Sequence, residues 1–120
     1  MEKRRFSRFR IVEKCFVDFN NCSFDVSLRA ISLNGALVEF EKTVPSRKGD
    51  ELLLSYPLGY SDKYLQFGSE VVHTFDNMVG VKFIDTDLNT LVSLHQMLKA
   101  RTDNPDQLKI ELDFLIGDEK

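Results

Sequence analysis

The chain has no tryptophan, two histidines, two cysteines and three prolines among its 120 residues. His73 and His95 have no companion at metal-binding spacing, so no metal site is read from the sequence. Cys15 and Cys22 do not form a CxxC pair. A basic N-terminus is followed by no apolar core of a signal peptide, so the two thiols are expected to be reduced, in a cytoplasmic protein. No apolar run approaches the roughly 20 residues that a membrane helix needs, which argues against membrane insertion. A glycine-rich phosphate loop, an ordered Ser/His/Asp or Cys/His set and a recognisable carboxylate pair are all missing. The sequence therefore does not read as an enzyme, and no catalytic residue is assigned.

What is present fits one domain with a modest core: hydrophobic residues make up 42% and charged residues 29%. The net charge of -3 conceals an asymmetry. Residues 1–10 carry a net +4 through Lys3, Arg4, Arg5, Arg8 and Arg10, while residues 101–120 carry -3. A general nucleic-acid binder spreads basic charge over a face, whereas a small anion needs only a local cluster.

Residues 11–19 read as a strand, and Asn20-Asn21 tolerates the left-handed backbone of a tight hairpin turn. In the second strand Cys22, Phe24, Val26 and Leu28 alternate with Ser23, Asp25, Ser27 and Arg29. A two-residue turn pairs Phe19 with Cys22, Val17 with Phe24 and Cys15 with Val26, all apolar, so turn and register agree. Both cysteines are thereby expected to pack as small hydrophobes. Beyond Leu28 the large apolar residues become odd-numbered, Ile31 and Leu33. A bulge near Arg29-Ala30 explains the switch and turns the Ser32 hydroxyl outward. Asn34-Gly35 is then expected to turn, with Gly35 supplying a positive φ.

Further strands are expected at 36–40, 51–56, 63–75 (with a break at Gly68) and 79–84. Short strands between turn residues predict a small antiparallel barrel. Asp85 or Thr86 is expected to cap a helix running to about Lys99, with Leu88, Leu91, Val92, Leu94, His95 and Leu98 on its apolar side, covering one barrel end. The tail is open to two readings. Leu108, Ile110, Leu112, Phe114 and Ile116 alternate as in a strand, but Asn104-Pro105-Asp106-Gln107 is a helix start, and a second helix is favoured. Its apolar residues run most of the way round, so it needs something to pack on, a second copy of the chain among the options.

Two stretches remain: the arm Arg4-Arg5-Phe6-Ser7-Arg8, and the window Ala30-Ile31-Ser32-Leu33-Asn34-Gly35. In this order, ahead of Gly80-Val81-Lys82-Phe83-Ile84 and a Leu-rich helix, they resemble the PilZ domain, the bacterial receptor module for cyclic di-GMP, over roughly residues 2–100. The resemblance implies a mainly β fold: a small antiparallel PilZ-like barrel over 11–100 with a helix over one end. A flexible basic arm at 1–10 precedes it and a helical tail at 101–120 follows. It also implies that Arg4, Arg5, Arg8, Ser32 and Gly35 bind the ligand. A guanidinium can chelate a phosphate or face guanine O6 and N7, and arginine is planar, charged and able to stack. The mechanism implied is ordering of residues 2–10 on cyclic di-GMP, which signals to an unidentified protein partner.

Ala30 departs from the family, which has Asp or Asn there to accept from a guanine edge. Losing one such acceptor costs about 1–3 kcal/mol. Asn34 and Asp25 are candidates to replace it. The departure sustains an alternative, a PilZ-like interaction module that does not bind the nucleotide. A second alternative is a barrel for single-stranded nucleic acid, whose stacking platform needs exposed aromatics beside basic residues; only Phe6 and Phe9 lie beside such residues.

Overall fold

The structure, a computed structural model, describes residues 6–42, 44–58 and 62–117. Six antiparallel strands close into a barrel: β1 (Phe9–Phe19), β2 (Cys22–Ser32), β3 (Gly35–Phe40), β4 (Glu51–Pro57), β5 (Tyr64–Phe75) and β6 (Met78–Asp85). Around the barrel the order is β1-β2-β3-β6-β5-β4. Two helices follow, α1 (Leu88–Lys99) and α2 (Pro105–Gly117), so the mainly β class with a helical C-terminal end holds.

The first hairpin forms as its sequence dictates. Asn20 and Asn21 take φ of 54° and 65°, the left-handed pair that matches strand twist, and Phe19↔Cys22, Val17↔Phe24 and Cys15↔Val26 are paired. Cys22 differs from expectation: it sits beside the turn at the hairpin tip and is exposed, while Cys15 is buried.

Register breaks at Arg29. Leu28 pairs with Val38, but Ala30 pairs with Leu37, so Arg29 is the extra residue of a bulge. Pairing with β1 shifts at the same level, between Arg10 and Glu13. Before the bulge Val26 and Leu28 are buried; after it Ile31 and Leu33 are. The turn that follows is Leu33-Asn34, and Gly35 opens β3 opposite Ser32, without a positive φ. β5 runs unbroken through Gly68, where its pairing with β6 shifts by a bulge.

Asp87 caps α1, its carboxylate accepting from the Thr90 amide at 2.8 Å; Asp85, still paired with Gly68 in β6, is not free to do so. Leu94, His95 and Leu98 are buried, whereas Leu88 and Val92, expected on the same apolar side, are exposed. The tail resolves as a helix: Asn104 Oδ1 accepts from the Gln107 amide at 3.1 Å, and Pro105 takes the first position. Leu108 and Leu112 join Leu94, Leu98 and the barrel interior in one core. Among the described residues no helix is long and apolar enough to cross a membrane.

Two outcomes follow from burial. The Cys15 thiol is pushed up to about 12, first by burial and then by the charge of Glu13. An alkylating reagent at pH 8 should therefore label Cys22 quickly in the native protein and Cys15 only after denaturation, as counted by mass spectrometry. Burial, reinforced by Lys99 and Lys109, holds His95 below its ordinary 6.5. Below that pH the unfolded chain takes a proton that the folded chain refuses, so stability should fall as pH drops through 6.5. Urea midpoints at pH 7.5 and 5.5 should separate for the parent and draw together for His95→Leu.

Candidate ligand-binding site

The bulge decides which side chains leave the barrel. Past Arg29, alternate residues of β2 face outward, and register with β3, β6 and β5 carries that face around the wall. One cross-strand row is Ser32, Gly35 and Lys82; the next is Ala30, Leu37, Gly80 and His73. All seven line an open cavity of about 1150 Å³, together with Phe6 and Arg8.

The floor of the cavity is low because its residues are small. A Cβ on Gly35 would lie 2.5 Å from the Val81 carbonyl oxygen, so glycine is required there by close approach of β3 to β6. Gly80 is different: its added Cβ would meet nothing nearer than 3.5 Å. Ala30, on the same outward face, also lines the cavity, while Ala36 of β3 is packed against the core.

The cavity is electropositive. Arg8 and Lys82 line it with His73, and no carboxylate does so among the described residues. The polar groups are Ser32 and Asn34. Ser32 is turned out of the core, as the bulge implies, yet it is buried, at 6% exposure. Its hydroxyl donates to Asn34 Oδ1 at 2.9 Å and receives the Asn34 amide at 3.3 Å. The hydroxyl turned outward by the bulge is thus closed on its own turn, because the two-residue loop brings Asn34 back over it. Phe83 N donates to the Asn34 carbonyl at 2.9 Å, tying the turn to β6.

A smaller cavity of about 580 Å³ adjoins and shares Ala30 and Leu37 with it. Arg10 and the bulged Arg29 line this second space. Arg29 Nε donates to Glu39 at 2.6 Å, and Asn77 donates to the other Glu39 oxygen at 3.2 Å. The Arg29 contact, then Asn77, holds the Glu39 carboxyl below its ordinary value.

Of the residues singled out in the sequence, Arg8, Ser32, Asn34 and Gly35 converge on the larger cavity, with Ala30 in its floor. Arg4 and Arg5 lie outside the described residues. Asp25 does not converge: it pairs with Phe16, below the bulge, and does not line the cavity. Sequence reasoning missed Lys82 and His73, whose membership depends on pairing across strands. Phe6 is buried, at 8% exposure, and Phe9 is half-buried, so neither offers the open face that base stacking needs. Among the described residues no group of side chains could hold a metal ion.

A family profile described as PilZ domain matches residues 2–100. No curated protein sequence matches the chain. Among solved structures, the inhibitor of motility MotI/DgrA of Bacillus subtilis superposes with a TM-score of 0.71 at 15% identity, over 84% of this chain and 51% of its own. The chain thus spans about half the length of that protein. The PilZ domain of YcgR from Escherichia coli, solved with c-di-GMP, gives 0.63 at 15% identity, over 85% of this chain and 98% of its own. The PilZ domain of CeSA from a cellulose-synthesizing bacterium gives 0.61 at 12% identity, over 76% and 93%. At these identities the superpositions establish a shared fold.

The two glycines make a paired test of the floor. Gly35→Ala should cost about 1–3 kcal/mol in urea unfolding, because β3 must part from β6. Gly80→Ala should stay within about 0.5 kcal/mol of the parent.

Proposed function

The chain belongs to the PilZ domain family, and on that premise we propose that it is a cyclic di-GMP receptor which reports the bound ligand to a protein partner. The observation that supports this is the cavity that gathers Arg8, Ser32, Asn34 and Gly35, with Lys82, and without a carboxylate among the described residues. Its volume of about 1150 Å³ suits a large ligand. Arg8 and Arg4 chelate a phosphate or face a guanine edge, Arg5 supplies a further guanidinium, and Lys82 adds a point charge from the wall. Asn34 replaces the acceptor that Ala30 lacks. The Ser32 hydroxyl exchanges its bond to Asn34 for the ligand at small net cost, since one hydrogen bond replaces another.

The ligand-driven rearrangement is narrower than ordering of the whole arm. Phe6 and Ser7 are packed on α2, so the segment recruited to the ligand is the one that carries Arg4 and Arg5. The output is the changed surface at the cavity rim. The protein acts as a binding module and adaptor, not as a catalyst, in the cytoplasm.

A second reading has its own support. Ala30 places a methyl group in the floor where the family has an acceptor, and a chain that has lost the nucleotide would keep the barrel as a protein-interaction module.

Calorimetric titration with cyclic di-GMP, with GTP as control, separates the two. The receptor reading expects saturable binding with Kd on the order of micromolar or tighter. Arg4→Ala with Arg8→Ala should lose roughly a hundredfold or more, since two charge-assisted contacts go, and Lys82→Met about tenfold or less. No heat at high ligand sinks the receptor reading and leaves the interaction module.

A further inference from the structure

We infer that Glu111 is the positioning residue of the binding arm: from α2 it fixes Phe6 and Ser7, immediately before Arg8, so that Arg8 meets the cavity already placed. The inference rests on the receptor reading. It adds an element that lies beyond the matched residues, since the family match ends at residue 100 and α2 begins at Pro105.

Glu111 is 3% exposed, and among the described residues no cation pairs with it. A carboxylate so buried is tolerated only when its oxygens are filled by donors. Three donors fill them. The Ser7 amide donates to Oε1 at 2.9 Å, the Ser7 hydroxyl to Oε2 at 2.7 Å, and Gln107 Nε2 to Oε2 at 3.1 Å. Gln107 stands one turn earlier on the same helix and orients the carboxylate. Ser7 is thus held by its backbone and its side chain at once. Phe6 beside it meets Phe114 of α2 edge to face, with ring centroids 6.0 Å apart.

Phe6 and Arg8, on either side of the gripped residue, line the cavity; Glu111 and Phe114 do not. The clamp therefore stands behind the cavity wall, out of reach of a ligand, and acts through Ser7. Fixing this residue in advance removes freedom that the ligand would otherwise have to restrict, and a pre-placed arm binds more tightly than a loose one.

The test is titration of the full chain with cyclic di-GMP, with thermal denaturation of each variant alongside. Glu111→Leu should bind about tenfold or more weakly at unchanged stoichiometry. Ser7→Ala should lose less, because the backbone donor stays, and Ser7→Ala with Glu111→Leu should be no weaker than Glu111→Leu alone. Glu111→Gln, which keeps an acceptor, should recover part of the affinity. Where Glu111→Leu does not fold, Ser7→Pro removes both Ser7 donors without changing the sequence of α2; it should show the same loss. A purely structural clamp would lower the melting temperature and leave the affinity of folded protein at the parent value, and that result overturns the inference alone. A parent that does not bind overturns the receptor reading and this inference with it.

Discussion

Arg29 is the residue that β2 has and β3 does not match, and the outer face of the barrel depends on how it is accommodated. Without it, the alternation that buries Val26 and Leu28 would also bury Ser32 and expose Ile31 and Leu33, which would carry polar groups into the core and apolar ones out. The bulge reverses the phase, and both neighbours of β2 shift register at its level. A bulge is also a point of local bending, and the structure holds it with side chains. Arg29 grips Glu39, Glu39 takes a second donor from Asn77, and Asn77 donates to the Phe40 carbonyl at 2.7 Å. The extra residue of one strand is thereby fastened to the turn between two others.

From that bend the cavity follows by subtraction. Four of its seven row residues, Ser32, Gly35, Ala30 and Gly80, have little or no side chain, and Lys82 supplies the wall's cation. Gly35 is small because β6 lies against it, not because its backbone is unusual. Ala30 has two effects at once. Its methyl group offers no acceptor, and it borders both the cavity that holds Arg8 and the one that holds Arg10 and Arg29. The second cavity is also lined by the Glu39 and Asp76 carboxylates, and its Arg29 is already paired with Glu39.

Much of this was legible in the sequence, where the signal was local. The Asn-Asn turn fixed the first register, because both residues tolerate the left-handed region and every facing pair came out apolar. The parity change after Leu28 announced the bulge. The arm and the Ser32–Gly35 window supplied the candidate residues, and Arg8, Ser32, Asn34 and Gly35 line one cavity. What was not legible depended on partners distant in sequence. Whether Gly35 serves conformation or clearance is decided by the Val81 carbonyl. Whether the Ser32 hydroxyl is free is decided by Asn34 folding back. Lys82 and His73 join only through strand pairing, and Asp25 drops out because it lies on the wrong side of the bulge. Cys22 keeps the alternation of its strand yet runs out of neighbours at the hairpin tip. The alternating tail could not choose between helix and strand by its apolar pattern; its start, Asn104 to Gln107, decided it.

The contact between Ser7 and Glu111 joins positions 104 apart, so nearly the entire chain forms the loop that it closes. Closure entropy grows only logarithmically with loop length, but a contact of this span has little local structure to assist it until the barrel and both helices exist. It consists of two hydrogen bonds, one ring contact and the burial of Phe6 in the common core, none of which belongs to a strand ladder of the barrel. The stretch before β1 and the last helix are thus joined outside the strand ladders, so the approach to the cavity is set by side chains rather than by the hydrogen bonding of the barrel.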